Sequence, residues 1–300
     1  MSTSIERSVP PNRTLLRGWP PLLVLPTLVA ILAPAETSRW AYMWLLAVAI
    51  FIGCKWLTWR RTPAPGATPL RHLGYLFAWP GLDATTFLNP ALQPIRPRLA
   101  EWLFASFKLL AGVTMLFGVV RFVPAEFPYL AGWLGMVGLA MVLHFGIFHL
   151  LSCAWRRAGV DAKPLMDWPL AATGLADFWG RRWNTAFRDL THRFLFRSFV
   201  RWFGPRWAVG AGFLFSGLVH EAVISLPAGG GYGGPTLFFA IQGLALLFER
   251  NRFGRRIGLG RGVRGRLFTG VVLLAPAVAL FHPPFVLGIV VPFLAALGAF

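Results

Sequence analysis

Charge is what this chain has least of. Asp, Glu, Lys and Arg make up 13% of its 300 residues, and only 11 residues are acidic. Soluble domains carry roughly 25% charged residues, so a pair of soluble globular domains is excluded. Cysteine is nearly absent: Cys54 and Cys153 lie in separate apolar runs, without C-x-x-C spacing. That excludes a disulfide framework and a zinc finger. His220-Glu221 opens an H-E-x-x-H pattern, but position 224 is Ile224, so the second ligand is missing and no metal is expected there. Residues 229–234 match G-x-G-x-x-G in form, but they join two apolar runs rather than a strand and a helix of a βαβ unit. The nucleotide reading fails, and a flexible turn or lid is expected instead.

Apolar residues are abundant, at 56%. About 20 consecutive apolar residues are enough to cross a bilayer. Runs near 19–34, 40–59, 102–120, 129–154, 206–226, 235–248, 267–282 and 284–300 predict about eight transmembrane helices. The fold class is therefore an all-α polytopic integral membrane protein, with interfacial or re-entrant helices and a single domain over 1–300. Of the 29 basic residues, 27 fall in alternate segments: three before the first run, seven from Lys55 to Lys108, ten from Arg156 to Arg206, and seven from Arg250 to Arg266. Only Arg39 and Arg121 fall on the other side. Positive loops stay inside, so the N- and C-termini are both expected in the cytoplasm. The net charge of +18 is then a topology signal and not a nucleic-acid surface. Arg-containing residues 1–18, an apolar run and Ala33-Pro34-Ala35 imitate a signal peptide. The long leader and Pro20, Pro21 and Pro26 argue against cleavage.

Between the spans, residues 60–98 are rich in Pro and Gly, with Pro80-Gly81 as a turn and His72 expected to be solvated. His144 and His149 are five residues apart and face different ways. They read as a histidine bonded to a neighbouring helix and one near the cytoplasmic surface. The polar insert, about 155–205, carries Asp177-Phe178-Trp179-Gly180-Arg181-Arg182-Trp183-Asn184. It continues with Asp189, Arg193, Arg197 and Arg201 at four-residue spacing among aromatics. The later part, 189–203, is an interfacial anchor helix. An anchor role does not explain the block 177–184.

The run Arg206–Leu226 holds the ionisable pair His220 and Glu221 in an otherwise apolar span. Such groups are costly in hydrocarbon, and they mark function by default. His220 lies ~21 Å along the helix from Arg206 at about 1.5 Å per residue, well within a core about 30 Å thick. A neutral imidazole there is a competent general base; a structural histidine bonded across the bundle is the plainer alternative. Ala208, Gly212, Ser216 and His220 share one face, a small-residue stripe that admits a neighbouring helix or an acyl chain.

The block 177–184, followed about 30 residues later by Phe215-Ser216-Gly217-Leu218-Val219-His220-Glu221, resembles the membrane-bound O-acyltransferase superfamily, most closely its wax-synthase-like branch. Ala78-Trp79-Pro80-Gly81 and Ser225-Leu226-Pro227 are also similar to that branch, and the resemblance covers roughly 70–250. It implies that His220 is catalytic with Asn184 as its partner. Some relatives carry His at the position of Asn184, and Ser is commoner at that of Gly174. The implied reaction is transfer of a fatty acyl group to a hydroxyl: a long-chain alcohol giving a wax ester, or another lipid, sterol or sugar hydroxyl. The partners are acyl-CoA, as co-substrate rather than cofactor, and a hydroxylated lipid-like acceptor within membrane lipids. Arg181 and Arg182 are expected to meet the CoA phosphates. Trp179, Trp183 and Ser216 are expected to line the substrate site. Glu221, about 100° from His220 around the helix, is a further substrate-side candidate. The rival class is a proton-coupled transporter, in which His220 and Glu221 would relay protons. No inverted repeat is visible to support it.

Overall fold

The structure is a computed structural model and describes residues 18–300. Arg7, Arg13 and Arg17, and most of the leader-like segment, lie outside the described residues. Among the described residues every regular element is helical, as apolar runs in lipid require, since a helix satisfies its backbone polar groups internally. All eight apolar runs are helices: α1 Pro20–Leu32, α2 Arg39–Arg60, α3 Leu99–Phe122, α4 Pro128–Arg157, α5 Phe199–Ala228, α6 Gly234–Arg250, α7 Gly262–Leu280 and α8 Pro283–Ala296. Five of them, α2, α3, α4, α5 and α7, are long and apolar enough to cross a membrane. The protein is an integral membrane protein.

The other three account for the difference from eight spans. α1 has 13 residues and packs along α2, where Gly53 comes so close that a Cβ there would lie 2.4 Å from the Leu22 Cα. Helix α6 has 17 residues, about 25 Å at 1.5 Å per residue. α8 does not return across the molecule. Its start lies near Arg39, and just beyond its end the Gly298 carbonyl accepts hydrogen bonds from Arg121 (2.7 and 3.2 Å). Both ends of α8 thus pack against arginines that lie outside the basic segments. A helix this short, entered through His282-Pro283-Pro284, cannot span the core. Both stray arginines cap helix ends: Arg39 donates to the Ala228 carbonyl at the end of α5 (3.0 Å), and Arg121 serves Gly298.

At the basic end, Gly18 packs on Arg60 and Leu57. Residues 60–98 carry two short helices, Pro69–Phe77 and Ala84–Phe87, joined by irregular chain at Pro80-Gly81 rather than the expected turn, and the Gly81 carbonyl accepts from the buried Lys55 Nζ. His72 is not free in solvent: its Nδ1 accepts from Trp59 Nε1 at 2.9 Å. His149, near the basic end of α4, is bonded across to α3. Glu101, from the preceding span, reaches its Nε2 (3.0 Å), and Lys108 donates to its Nδ1 (2.7 Å). No linear pattern pairs residues 48 apart. The Nδ1 of His144 is buried without a protein partner, so the expected bond to a neighbouring helix is absent. Gly231 packs against the His282 ring, where a Cβ would lie 2.2 Å away, so residues 229–234 form a packed turn and not a lid.

Candidate functional site

The block 177–184 and the span that carries His220 face one cavity of about 270 Å³. Three segments build it. The first runs through a π-helical turn, Phe178–Arg182, to Asn184, which starts the helix Thr185–Thr191. Asn184 has a left-handed backbone (φ 42°), a conformation asparagine tolerates better than most residues. Its Oδ1 accepts the Phe187 amide at 3.3 Å, which leaves the side-chain Nδ2 as a donor without a partner among the described residues. The second segment is α5, broken at Gly204 (φ 80°) just before Pro205. This break separates the interfacial anchor from the span that begins at Arg206. The third is α6.

Ala208, Gly212, Ser216 and His220 all line the cavity, so the small-residue face of α5 is its wall. The His220 Nδ1 lies 2.7 Å from the Ser216 carbonyl. A carbonyl only accepts, so Nδ1 carries the proton and donates, and Nε2 of the neutral ring keeps its lone pair. The ring packs on Phe239 of α6 at 4.5 Å between centroids. A π-helical turn, Glu221–Ser225, follows directly; such turns are frequent at functional sites.

Trp179, Trp183 and Asn184 line the same cavity. Trp179 Nε1 donates to Gln242 Oε1 (3.3 Å), and Gln242 Nε2 donates to the Val272 carbonyl (2.8 Å), which fixes the indole against α6 and α7. The carboxylate of Glu249, buried near the end of α6, accepts the amides of Leu175 (2.6 Å) and Ala176 (3.0 Å). The block is thus tied to α6 at both Trp179 and its own start.

Arg181, Arg182 and Glu221 do not line this cavity. Arg182 donates to Asp177 (2.7 Å) and to the carbonyls of Asp167 and Trp168 (3.2 and 3.3 Å). Arg181 pairs with Asp177 (3.1 Å) and borders a separate cavity of about 470 Å³ beside Asp161 and Asp167. Burial alone would push the Asp177 carboxyl up. Hydrogen bonds from Arg182 and the Thr173 amide, with the Arg182 and Arg181 charges, outweigh it and hold the carboxyl below the usual range. Glu221 Oε1 accepts the amide (3.1 Å) and hydroxyl (2.9 Å) of Thr236 at the start of α6, while its Oε2 is buried without a protein partner. It therefore anchors a helix N-terminus.

Three basic residues that the linear pattern did not single out line the cavity: Arg188, His192 and Arg250. No carboxylate among the described residues lines it. Arg188 donates to the Gly180 carbonyl (2.6 Å) and to Asp189 (2.8 Å), whereas Arg250 has no partner among the described residues. Phe213, Phe239 and Leu246 complete the apolar walls. In the sequence these were single residues among many arginines and phenylalanines. Only α6's helical spacing, with Phe239, Leu246 and Arg250 on one side, carried a signal.

An all-helical membrane protein with His220 and Asn184 facing one cavity, lined by no carboxylate among the described residues, defines the class. Comparison places it further. Residues 162–241 match the membrane bound O-acyl transferase family. Long-chain-alcohol O-fatty-acyltransferase of Simmondsia chinensis is 33% identical over 128 residues, which cover 39% of this chain and 36% of that protein. "Probable long-chain-alcohol O-fatty-acyltransferase 9" of Arabidopsis thaliana is 28% identical over 212 residues, covering 66% of this chain and 61% of that relative. The chain thus matches less than two thirds of the length of each of these relatives. The resemblance is to the membrane-bound O-acyltransferases, in their wax-synthase-like branch, as the paired blocks imply.

Proposed function

We propose that the protein is a membrane-embedded O-acyltransferase that transfers a fatty acyl group from acyl-CoA to a long-chain alcohol, giving a wax ester. The observation that carries this reading is the His220 tautomer: Nδ1–H is committed to Ser216, and Nε2 is the available base in a cavity shared with Asn184. The alcohol hydroxyl gives its proton to Nε2 as its oxygen attacks the thioester carbonyl. The carbon–sulfur bond then breaks, an ester and a thiolate form, and the proton passes from His220 to the thiolate. Asn184 Nδ2 is the donor for the oxygen that gains charge during attack. The basic end is the cytoplasmic side, and the donor enters there. Arg250 and Arg188, which line the cavity, meet its phosphates, whereas Arg181 and Arg182 lie outside it. Both parent names in the comparison, which state a long-chain alcohol and a fatty acyl group, support the acceptor class.

The test is ester formation by the purified protein from labelled acyl-CoA and a panel of alcohols. His220→Ala is expected to abolish release of free CoA while the protein stays folded in detergent. Turnover of that variant at the wild-type rate would refute the reading.

A further inference from the structure

Glycine inside a helix weakens it by about 0.5–1 kcal/mol relative to alanine, so such a residue needs a reason. At several positions packing supplies one. A Cβ at Gly217 would lie 2.8 Å from the Thr236 Cα, and one at Gly174 would lie 2.5 Å from the Gly260 Cα. Gly212, within α5, and Gly180, within the π-helical turn, are different. Neither has a positive φ, and a Cβ at either meets no atom within 4 Å. Neither backbone geometry nor a neighbouring group requires glycine at these two places. Both residues line the cavity that holds His220, from two separate elements, among Trp179, Phe213 and Phe239. The space their missing side chains leave is cavity space.

We infer that Gly180 and Gly212 are specificity-determining residues that hold the cavity wide enough for an unbranched long alkyl chain to lie beside His220, at the expense of helix stability. This rests on the acyl-transfer reading for its kinetic test but not for its binding test. Side chains added at these positions project into the passage and compete with the substrate chain for room. A single methylene in an apolar pocket changes discrimination by about 10- to 200-fold, so one added side chain is enough to read.

Gly210 is the internal control. It lies on the same helix, a Cβ there also meets nothing, and it does not line the cavity. Gly210→Ala and Gly212→Ala are each expected to raise the thermal midpoint. Gly212→Val and Gly180→Val are expected to lower kcat/KM by about tenfold or more with palmitoyl-CoA and hexadecanol. With octanoyl-CoA and octanol the loss is expected to be smaller, while Gly210→Val leaves the ratio of long to short substrates unchanged. An equal loss for long and short chains, or none for either, overturns the inference. Binding of a fluorescent hexadecyl alcohol, followed by energy transfer from Trp179 and Trp183, gives a readout without turnover. Weaker binding in Gly212→Val than in Gly210→Val sustains the inference even if no ester forms in any sample, which would sink the acyltransfer reading alone. Equal binding in both variants overturns it.

Discussion

The imidazole of His220 donates from Nδ1 to the carbonyl of Ser216, one turn earlier on the same helix, at 2.7 Å. The bond is local and depends only on α5 staying helical to residue 220. It assigns the ring nitrogens without help from another element, and it leaves Nε2 for the cavity that α6 and the 177–184 block enclose.

Asn184 combines a backbone role with an amide, and the two can be separated. Asn184→Gly keeps the left-handed conformation (φ 42°) and loses the amide. It is expected to stay folded and to lose about 10²-fold or more in kcat, the scale of removing one oxyanion donor. Asn184→Ala is expected to lose the same activity and, in addition, about 1–2 kcal/mol of stability from left-handed strain. Parallel thermal melts and turnover assays check both.

Asp177 predicts a dependence on pH. Burial raises its carboxyl, but Arg182 and the Thr173 amide, with the charges of Arg182 and Arg181, bring it below the ordinary value. A group depressed on folding contributes stability above its unfolded pKa, about 3.9, and loses that contribution as pH falls through the folded value. The gap in thermal midpoint between wild type and Asp177→Asn is therefore expected to be full near neutrality and to close in acid. A gap that widens in acid would reverse the assignment.

Arg250 and Arg182 should respond differently to mutation. Arg250 lines the cavity and has no partner among the described residues, so Arg250→Gln is expected to raise KM for acyl-CoA severalfold with little change in melting temperature. Arg182 joins Asp177 to the carbonyls of Asp167 and Trp168. Arg182→Gln is expected to lower the melting temperature before it alters KM. Initial-rate kinetics beside melts distinguish the two.

Gly174 is held by contact. A Cβ would meet the Gly260 Cα at 2.5 Å and the Glu249 carboxylate at about 3 Å. Gly174→Ser is expected to cost about 1–3 kcal/mol, the usual range for overpacking, measured as a fall in the unfolding midpoint.

Periodicity and composition were enough to find the helices, because a span's hydrophobicity is written in consecutive residues. All eight runs were legible, and so were His220 and Asn184 as a pair of blocks. Length decided less well which helices cross. The fate of α8 hung on two contacts, at Arg39 and Arg121, made with residues more than 150 positions away in sequence. Arg181 and Arg182 were legible as a basic pair, but their place outside the His220 cavity was not: Arg181 lies exposed beside Asp177, and Arg182 is held by Asp177 and the carbonyls of Asp167 and Trp168.

The sequence by itself determined the membrane, the helices, the basic end and the face of α5 that bears Ala208, Gly212, Ser216 and His220, since each follows from spacing along one element. The tertiary structure alone decided what stands opposite that face: Phe239 on the imidazole, Gln242 on Trp179, Glu249 under the 175–176 amides, and Arg188 and Arg250 as the cavity's cations. Those contacts join elements brought together by burial of apolar surface and by packing. Neither leaves a fixed spacing in the linear chain.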